Sequence, residues 1–199
     1  QILADKDALF NADGKPQLLA TNKVLGQSRP FVGDYGISKN PESFARESYR
    51  AYFVDKQRNA VLRLSKDGLT AISDAGMKDF FGDKLKGSYD HIIGSYDMDT
   101  NQYNVTFKTA NDYDNAKDFS ATDNSITVSY KENVKGWTSF KSFVPEQGVT
   151  LNGTYYTFKD GLIYSHDNET RNTFYGGDLE NSLINVLMND SAIAVKDFK

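Results

Sequence analysis

The strongest constraint on this chain is a unit that recurs along it: a short run rich in β-branched and aromatic residues, a polar turn, and a second such run. Tyr49-Arg-Ala-Tyr-Phe-Val54 and Ala60-Val-Leu-Arg-Leu64 flank Asp55-Lys-Gln-Arg-Asn59, and Lys66-Asp67-Gly68 then turns the chain into Leu69-Thr-Ala-Ile72. His91-Ile-Ile-Gly-Ser-Tyr96 and Gln102-Tyr-Asn-Val-Thr-Phe107 flank Asp97-Met-Asp-Thr-Asn101. Tyr155-Tyr-Thr-Phe158 and Leu162-Ile-Tyr-Ser-His166 flank Lys159-Asp160-Gly161. Near the start, Leu9-Phe10 and Gln17-Leu-Leu-Ala20 flank the turn cluster Asn11-Ala-Asp-Gly-Lys-Pro16. Glycine after aspartate supplies the positive φ that tight hairpin loops need. Each unit is too small to bury its own faces, so the units must cover one another. The expected fold is mainly β: a β-propeller-like array of antiparallel meanders with one or two short helices, or alternatively a β-sandwich. At about 40–50 residues per blade, the chain has length for about four to five blades.

Two stretches break the pattern. In Asp74-Ala-Gly-Met-Lys-Asp-Phe-Phe-Gly-Asp-Lys-Leu85 an aspartate is available as a cap, and Met77, Phe80, Phe81 and Leu85 follow at helical spacing. Leu179-Glu-Asn-Ser-Leu-Ile-Asn-Val-Leu-Met188 fits a helix less cleanly, and Ser191-Ala-Ile-Ala-Val195 after it reads as strand. No low-complexity linker divides the sequence. The expectation is a single β-rich domain over residues 1–199, with the absence of an initiator Met at Gln1 suggesting a piece of something longer.

Charge and cysteine narrow the function classes. With 23 basic and 27 acidic residues the chain has no overall basic field to attract a phosphate backbone. It has no cysteine, which removes disulfides, thiolate catalysis and zinc–thiolate sites together. No apolar run approaches the ~18 residues of a membrane span.

Several residues are candidates for chemistry. Asp97, Asp99 and Asn101 place oxygen donors at alternate positions of a tight loop, which suits Ca²⁺. The loop lacks the turning glycine and the bidentate glutamate of an EF-hand, having Gln102 and Lys108 there, and it reads equally as a polar hairpin turn. Asp112, Asp114 and Asp118 form a second acidic loop. Only His91 and His166 carry imidazoles, each in an expected strand, where a half-buried hydrogen-bonded role is common. There is no G-x-S-x-G elbow, phosphate loop or dinucleotide fingerprint. Paired carboxylates for glycoside hydrolysis stand in no recognisable motif. N-x-[ST] sequons occur at Asn104, Asn152, Asn168 and Asn189. No catalytic, cofactor-binding or metal-binding residue is assigned.

Thirteen Phe, twelve Tyr and one Trp are enough to stack on sugar rings, so a carbohydrate-binding module is an alternative and a propeller-type glycoside hydrolase a more remote one. The other reading is that these rings cover neighbouring sheets. The lone tryptophan lies in "VSYKENVKGWTSFKSFVPEQG", residues 128–148. By parity Ile126, Val128 and Tyr130 share a face. Trp137 and Phe143 share one face of the next strand, with Phe140 and Val144 on the other. Apolar groups on both faces suit a strand covered on two sides, which makes Trp137 framework.

Two segments also carry a resemblance. "FVGDYGISKNPESFARESYRAYFVDKQRNAVLRLSKDGLTAISDAGMKDFF", residues 31–81, and "VKGWTSFKSFVPEQGVTLNGTYYTFKDGLIYSHD", residues 134–167, resemble the tail muzzle or nozzle proteins of short-tailed, crAss-like bacteriophages. The resemblance implies a non-enzymatic virion protein, without cofactor, with a β-propeller-like part. It implies copies arranged in a ring at the distal end of the tail, contacts with other tail proteins, and DNA passing through without specific binding. It also implies synthesis in the bacterial host cytoplasm. Ring proteins of this kind are larger, which again suggests one domain of a longer chain.

Overall fold

The computed structural model describes residues 31, 33–87, 89, 91–109, 125–177 and 181–185, and the backbone of four short strands before them. Those four pair as β1 (Ile2–Ala4) with β4 (Gln27–Arg29) and β2 (Leu9–Phe10) with β3 (Pro16–Gln17). The remaining strands form three antiparallel sheets in which every strand pairs with its neighbour in sequence. The first holds β5 (Ala45–Glu47), β6 (Arg50–Asp55), β7 (Ala60–Ser65) and β8 (Gly68–Ala71). The second holds β9 (His91–Asp97), β10 (Gln102–Lys108), β11 (Ile126–Lys131) and β12 (Gly136–Lys141), and the third β13 (Gln147–Leu151), β14 (Thr154–Lys159) and β15 (Leu162–Ser165).

The expected meanders are therefore present, with turns made as the sequence signals. Between β6 and β7, Asp55 accepts the amide of Arg58 at 3.3 Å, and Asn59 enters the left-handed region at φ 53° to start the return strand. Gly68 takes φ +106° at the next turn. The number of meanders is smaller than the length suggested. Two have four strands and one has three among the described residues, because chain is also used in the helix and in irregular segments. The described sheets are open and do not close into a ring.

They stack instead in layers. Ile92, Tyr96, Tyr103, Val105, Phe107, Val128 and Tyr130 of the second sheet lie in one buried cluster with Ala45, Tyr52, Val54 and Val61 of the first. Helix α1 (Lys78–Lys86) completes this layer by burying Phe81 and Leu85. The Phe81 ring lies 4.5 Å from Trp137 and 6.2 Å from Phe107. The helix starts later than its sequence implied. Ile72–Asp74 is a separate 3-10 turn, and Gly76 at φ +77° breaks it from α1. Asp74 thus caps nothing, and Met77 occupies the N-cap without a side-chain bond. Of the second expected helix, residues 181–185 are irregular and the rest lies outside the described residues, as does Ser191–Val195.

The opposite face of the second sheet is covered by the third. Its strand β13 meets β9 through side chains: Thr150 Oγ1 donates to the Tyr96 carbonyl at 2.9 Å and accepts the Met98 amide at 3.2 Å. Both approaches to β9 depend on glycine. A Cβ on Gly148 would lie 2.5 Å from the Tyr155 hydroxyl and 2.8 Å from Ser95 Cβ. A Cβ on Gly94 would collide with the carbonyl of Ser43, in the turn Pro41–Ser43 that leads into the first sheet. That turn is fixed, because Ser43 Oγ accepts the Val54 amide at 3.0 Å and donates to Asn40 O at 2.7 Å.

One substitution pair checks the close approach. Gly94→Ala should lower unfolding stability by about 2–3 kcal/mol, because backbone has to move. Gly82→Ala, in α1 with nothing within 4 Å of the added Cβ, should be neutral or stabilise by up to about 1 kcal/mol. Denaturant midpoints measure both, and an unchanged midpoint for Gly94→Ala would refute the contact.

Candidate functional site

Strand alternation places Ser95, Asn104, Thr106, Thr127 and Ser129 on the face of the second sheet that looks away from the apolar core. Such a row normally meets water. Here all five residues are at most 4% exposed, because the third sheet and the segment after it cover them. They form a seam of paired hydroxyls and amides. Ser129 Oγ donates to Asn104 Oδ1 at 2.6 Å, the Thr106 and Thr127 hydroxyls meet at 2.8 Å, and Thr127 donates onward to the Phe143 carbonyl at 2.6 Å. Ser95 Oγ and the Tyr155 hydroxyl lie 2.7 Å apart across the layers. Burial pushes the Tyr155 hydroxyl pKa up, against the pull of its bonds to Ser95 and Asn104.

His166 sits at the margin of this seam. Its ring packs 4.8 Å from Phe143, 5.0 Å from Tyr155 and 6.1 Å from Phe174. Thr157 Oγ1 lies 2.7 Å from Nε2 and accepts the Tyr175 hydroxyl at 3.2 Å. Its own proton is then directed at Nε2, which suits a neutral imidazole. Burial lowers the pKa of His166; Asp97 works against this and Lys141 adds to it. Beside it opens a cleft of about 460 Å³ lined by Asp97, Asn104, Lys141, Asp167, Arg171 and others. Asp167 has its pKa raised, first by burial and then by Asp97 and Asp99. Asp97, however, has both oxygens engaged, and the aromatic walls are packed on each other: Tyr164 meets Tyr175 edge-on at 4.8 Å.

A second charged cluster ties the first two sheets at their rim. Glu132, in the β11–β12 turn, accepts the Tyr52 hydroxyl at 2.9 Å. It also lies 3.4 Å from Arg50 Nε and 2.8 Å from Arg63 Nε, the latter an ion pair whose N–H is not aimed along a hydrogen bond. Tyr52 stacks on Tyr103 at 4.8 Å and on Tyr96 at 5.7 Å, and the Tyr103 hydroxyl donates to Ser43 O at 2.8 Å. Burial, then the acceptor Glu132, raises the Tyr52 pKa far beyond the ordinary phenol value, and Tyr96 is pushed up to about 12, chiefly by burial.

The remaining candidates separate clearly. Asp97 Oδ1 accepts the amides of Asp99 at 2.9 Å and Thr100 at 3.3 Å, and its Oδ2 accepts the Thr100 hydroxyl. The loop is a self-bonded hairpin turn, with Asn101 at φ 54°. Among the described residues no group of three or more His, Asp or Glu gathers as a metal would require. Asp112, Asp114, Asp118 and Asn189 lie outside the described residues. His91 is exposed at the start of β9. Asn104 is 2% exposed and bonded within the seam, which closes it to glycosylation.

Trp137 is framework, but its strand corrects the parity reading. A bulge at Thr138 pairs Ser129 with Ser139 and Tyr130 with Trp137. Trp137 and Phe140 therefore share the apolar face, meeting Phe81 at 4.5 Å and Phe80 at 5.5 Å. The indole N–H donates to Ile72 O at 3.0 Å. Phe143 lies beyond β12, against His166 and Phe174. The seam and the Glu132 cluster carried no sequence signal beyond alternation, which pointed the seam residues outward.

Fold and site together define a layered β-meander protein whose buried polar and charged side chains join sheet to sheet. The model of the Crassvirus muzzle protein family matches residues 5–161. The chain belongs to that family, whose members are structural proteins of the virion tail. No curated protein matches it.

Two measurements test the ties. Glu132→Gln should cost about 2–3 kcal/mol, because Tyr52 and two guanidiniums lose a charged partner. An unchanged unfolding midpoint would show that the cluster holds nothing together. For His166 the folded pKa lies below the ordinary imidazole value of about 6.5, so the unfolded chain takes up the proton first. Stability should therefore fall as pH drops below about 6.5, down to the folded pKa, and His166→Gln should flatten the melting temperature over that window.

Proposed function

We propose that this chain is a structural layer of the muzzle or nozzle ring at the distal end of a crAss-like phage tail. It acts in many copies, holds the shape of the conduit and performs no chemistry of its own. The family match across residues 5–161 carries this reading. The placement of reactive side chains supports it: Glu132, His166 and Asp97 are each engaged in packing or turn bonds. Face-to-face meanders act as blade-like layers of a propeller-like array. A ring through which DNA leaves under pressure needs walls that do not deform, and sheets tied by side-chain bonds on both faces suit that role. The net charge of −4 favours a lumen that does not retain DNA.

The test is localisation and imaging on purified particles. Antibody against this chain should label the distal end of the tail, and electron microscopy should resolve its layered sheets as a ring lining the channel. Label confined to the capsid, or a strongly basic lumen, would overturn the reading.

A further inference from the structure

The cleft beside His166 holds charged side chains that the packing around it does not use. Its volume of about 460 Å³ lies in the range of small-ligand pockets. Two cations and two carboxylates line it, Lys141 and Arg171 with Asp97 and Asp167. Asp97, Lys141 and Arg171 are each within electrostatic reach of Asp167. Yet these groups do not close on one another. The side chains of Lys141, Arg171 and Asp167 make no ion pair and no hydrogen bond among the described residues. Asp97 uses both lone pairs of Oδ1 on the amides of its own turn, but on Oδ2 it accepts only the Thr100 hydroxyl.

One wall of the cleft is also held in a shape its residues do not prefer. Asp167, Asn172 and Tyr175 all line the cleft and sit at φ 61°, 58° and 57°. Positive φ is uncommon outside glycine, and for a side chain as bulky as tyrosine it is an outlier. Such a backbone persists only where its surroundings hold it. Here the Tyr175 hydroxyl donates to Thr157 at 3.2 Å and the ring meets Tyr164 at 4.8 Å, which fixes an aromatic wall beside the charged groups.

We infer that this cleft is a binding site for an uncharged saccharide. Its lining selects that class. Two positive and two negative groups leave no net field for a phosphate, a nucleotide or a free cation. Side chains without partners of their own call for a ligand that accepts from ammonium and guanidinium and donates to carboxylate. A sugar hydroxyl does both, and an apolar ligand does neither. An amino-acid zwitterion would meet one cation and one carboxylate and leave the second pair unmet. Tyr164 and Tyr175 supply carbon surface for the CH face of a sugar ring. This activity goes beyond the structural role above and does not depend on it.

The 199-residue chain should retain neutral glycans on a microarray of neutral and acidic oligosaccharides. Two exposed-site variants locate the binding. Asp167→Asn removes the charge and keeps a residue that accepts the left-handed backbone, and Arg171→Ala removes a donor. By titration calorimetry with the retained glycan, each should bind at least about tenfold more weakly, the effect of losing one charged hydrogen bond. Both should melt at the parent's temperature. Glu169→Gln, on the same segment but outside the cleft lining, should bind as the parent does. A parent chain that retains no glycan, or only acidic ones, would overturn the inference. So would cleft variants that bind like the parent, or a Glu169→Gln chain that loses as much as they do. Tail labelling of particles decides the structural reading separately.

Discussion

Once the third sheet covers β9–β12, the hydroxyls and amides on that face lose water, and each must find a protein partner. An unsatisfied one costs about 1–3 kcal/mol, while a satisfied one contributes about 1. The seam of Ser95, Asn104, Thr106, Thr127, Ser129 and Tyr155 meets that demand with bonds of 2.6–2.8 Å. Hydrocarbon packing tolerates sliding, but a row of directional bonds does not. The bonds of Tyr155 to Ser95 and Asn104 therefore help set where the third sheet sits, while the Asn104–Ser129 and Thr106–Thr127 pairs hold the second sheet's own face together.

The other face solves a different problem. It buries Tyr103 and Phe107 completely against α1 and the first sheet's Tyr52, with Tyr96 and Tyr130 at its margin, and large rings demand a close, shaped fit. Gly94 lets β9 approach the Ser43 turn, and the Tyr103 hydroxyl then reaches the Ser43 carbonyl. Glu132 closes the rim by accepting from Tyr52 beside two arginines. The middle sheet is thus held by apolar area and a charged clasp on one side and by neutral polar pairing on the other.

Much of this was legible in the sequence where local chemistry decides. Asp67-Gly68, Asp160-Gly161 and Asn59 mark turns whose backbone needs those residues, and the hairpins fall where they predict. Strand β5 was invisible, since Ala45-Arg-Glu47 has no β character and pairs only because β6 offers an edge. The seam was illegible for a related reason: alternation reports polarity, and nothing in Ser95, Asn104, Thr106, Thr127 or Ser129 announces that a further layer will cover them. Trp137 shows a third limit. Parity counting put it opposite Phe140, and one bulged residue, Thr138, returned both rings to the same side. At Asp97 the two readings of the loop look alike in sequence, since a carboxylate that bonds its own turn, as Asp97 does with the amides of Asp99 and Thr100, is spelled the same as one awaiting an ion.

The polarity of the seam also bears on how the chain is made. Synthesis delivers the first sheet, α1 and the second sheet before β13 emerges, and domains generally acquire structure in that order. During the interval the second sheet has its oily side already covered and shows water a face made mostly of alcohols and amides, with Ile93 among them. Water can solvate that surface without inviting strangers, so the half-finished molecule has little tendency to clump. An apolar seam would join the layers as firmly at the end, but would leave every nascent chain sticky until its last strands arrived.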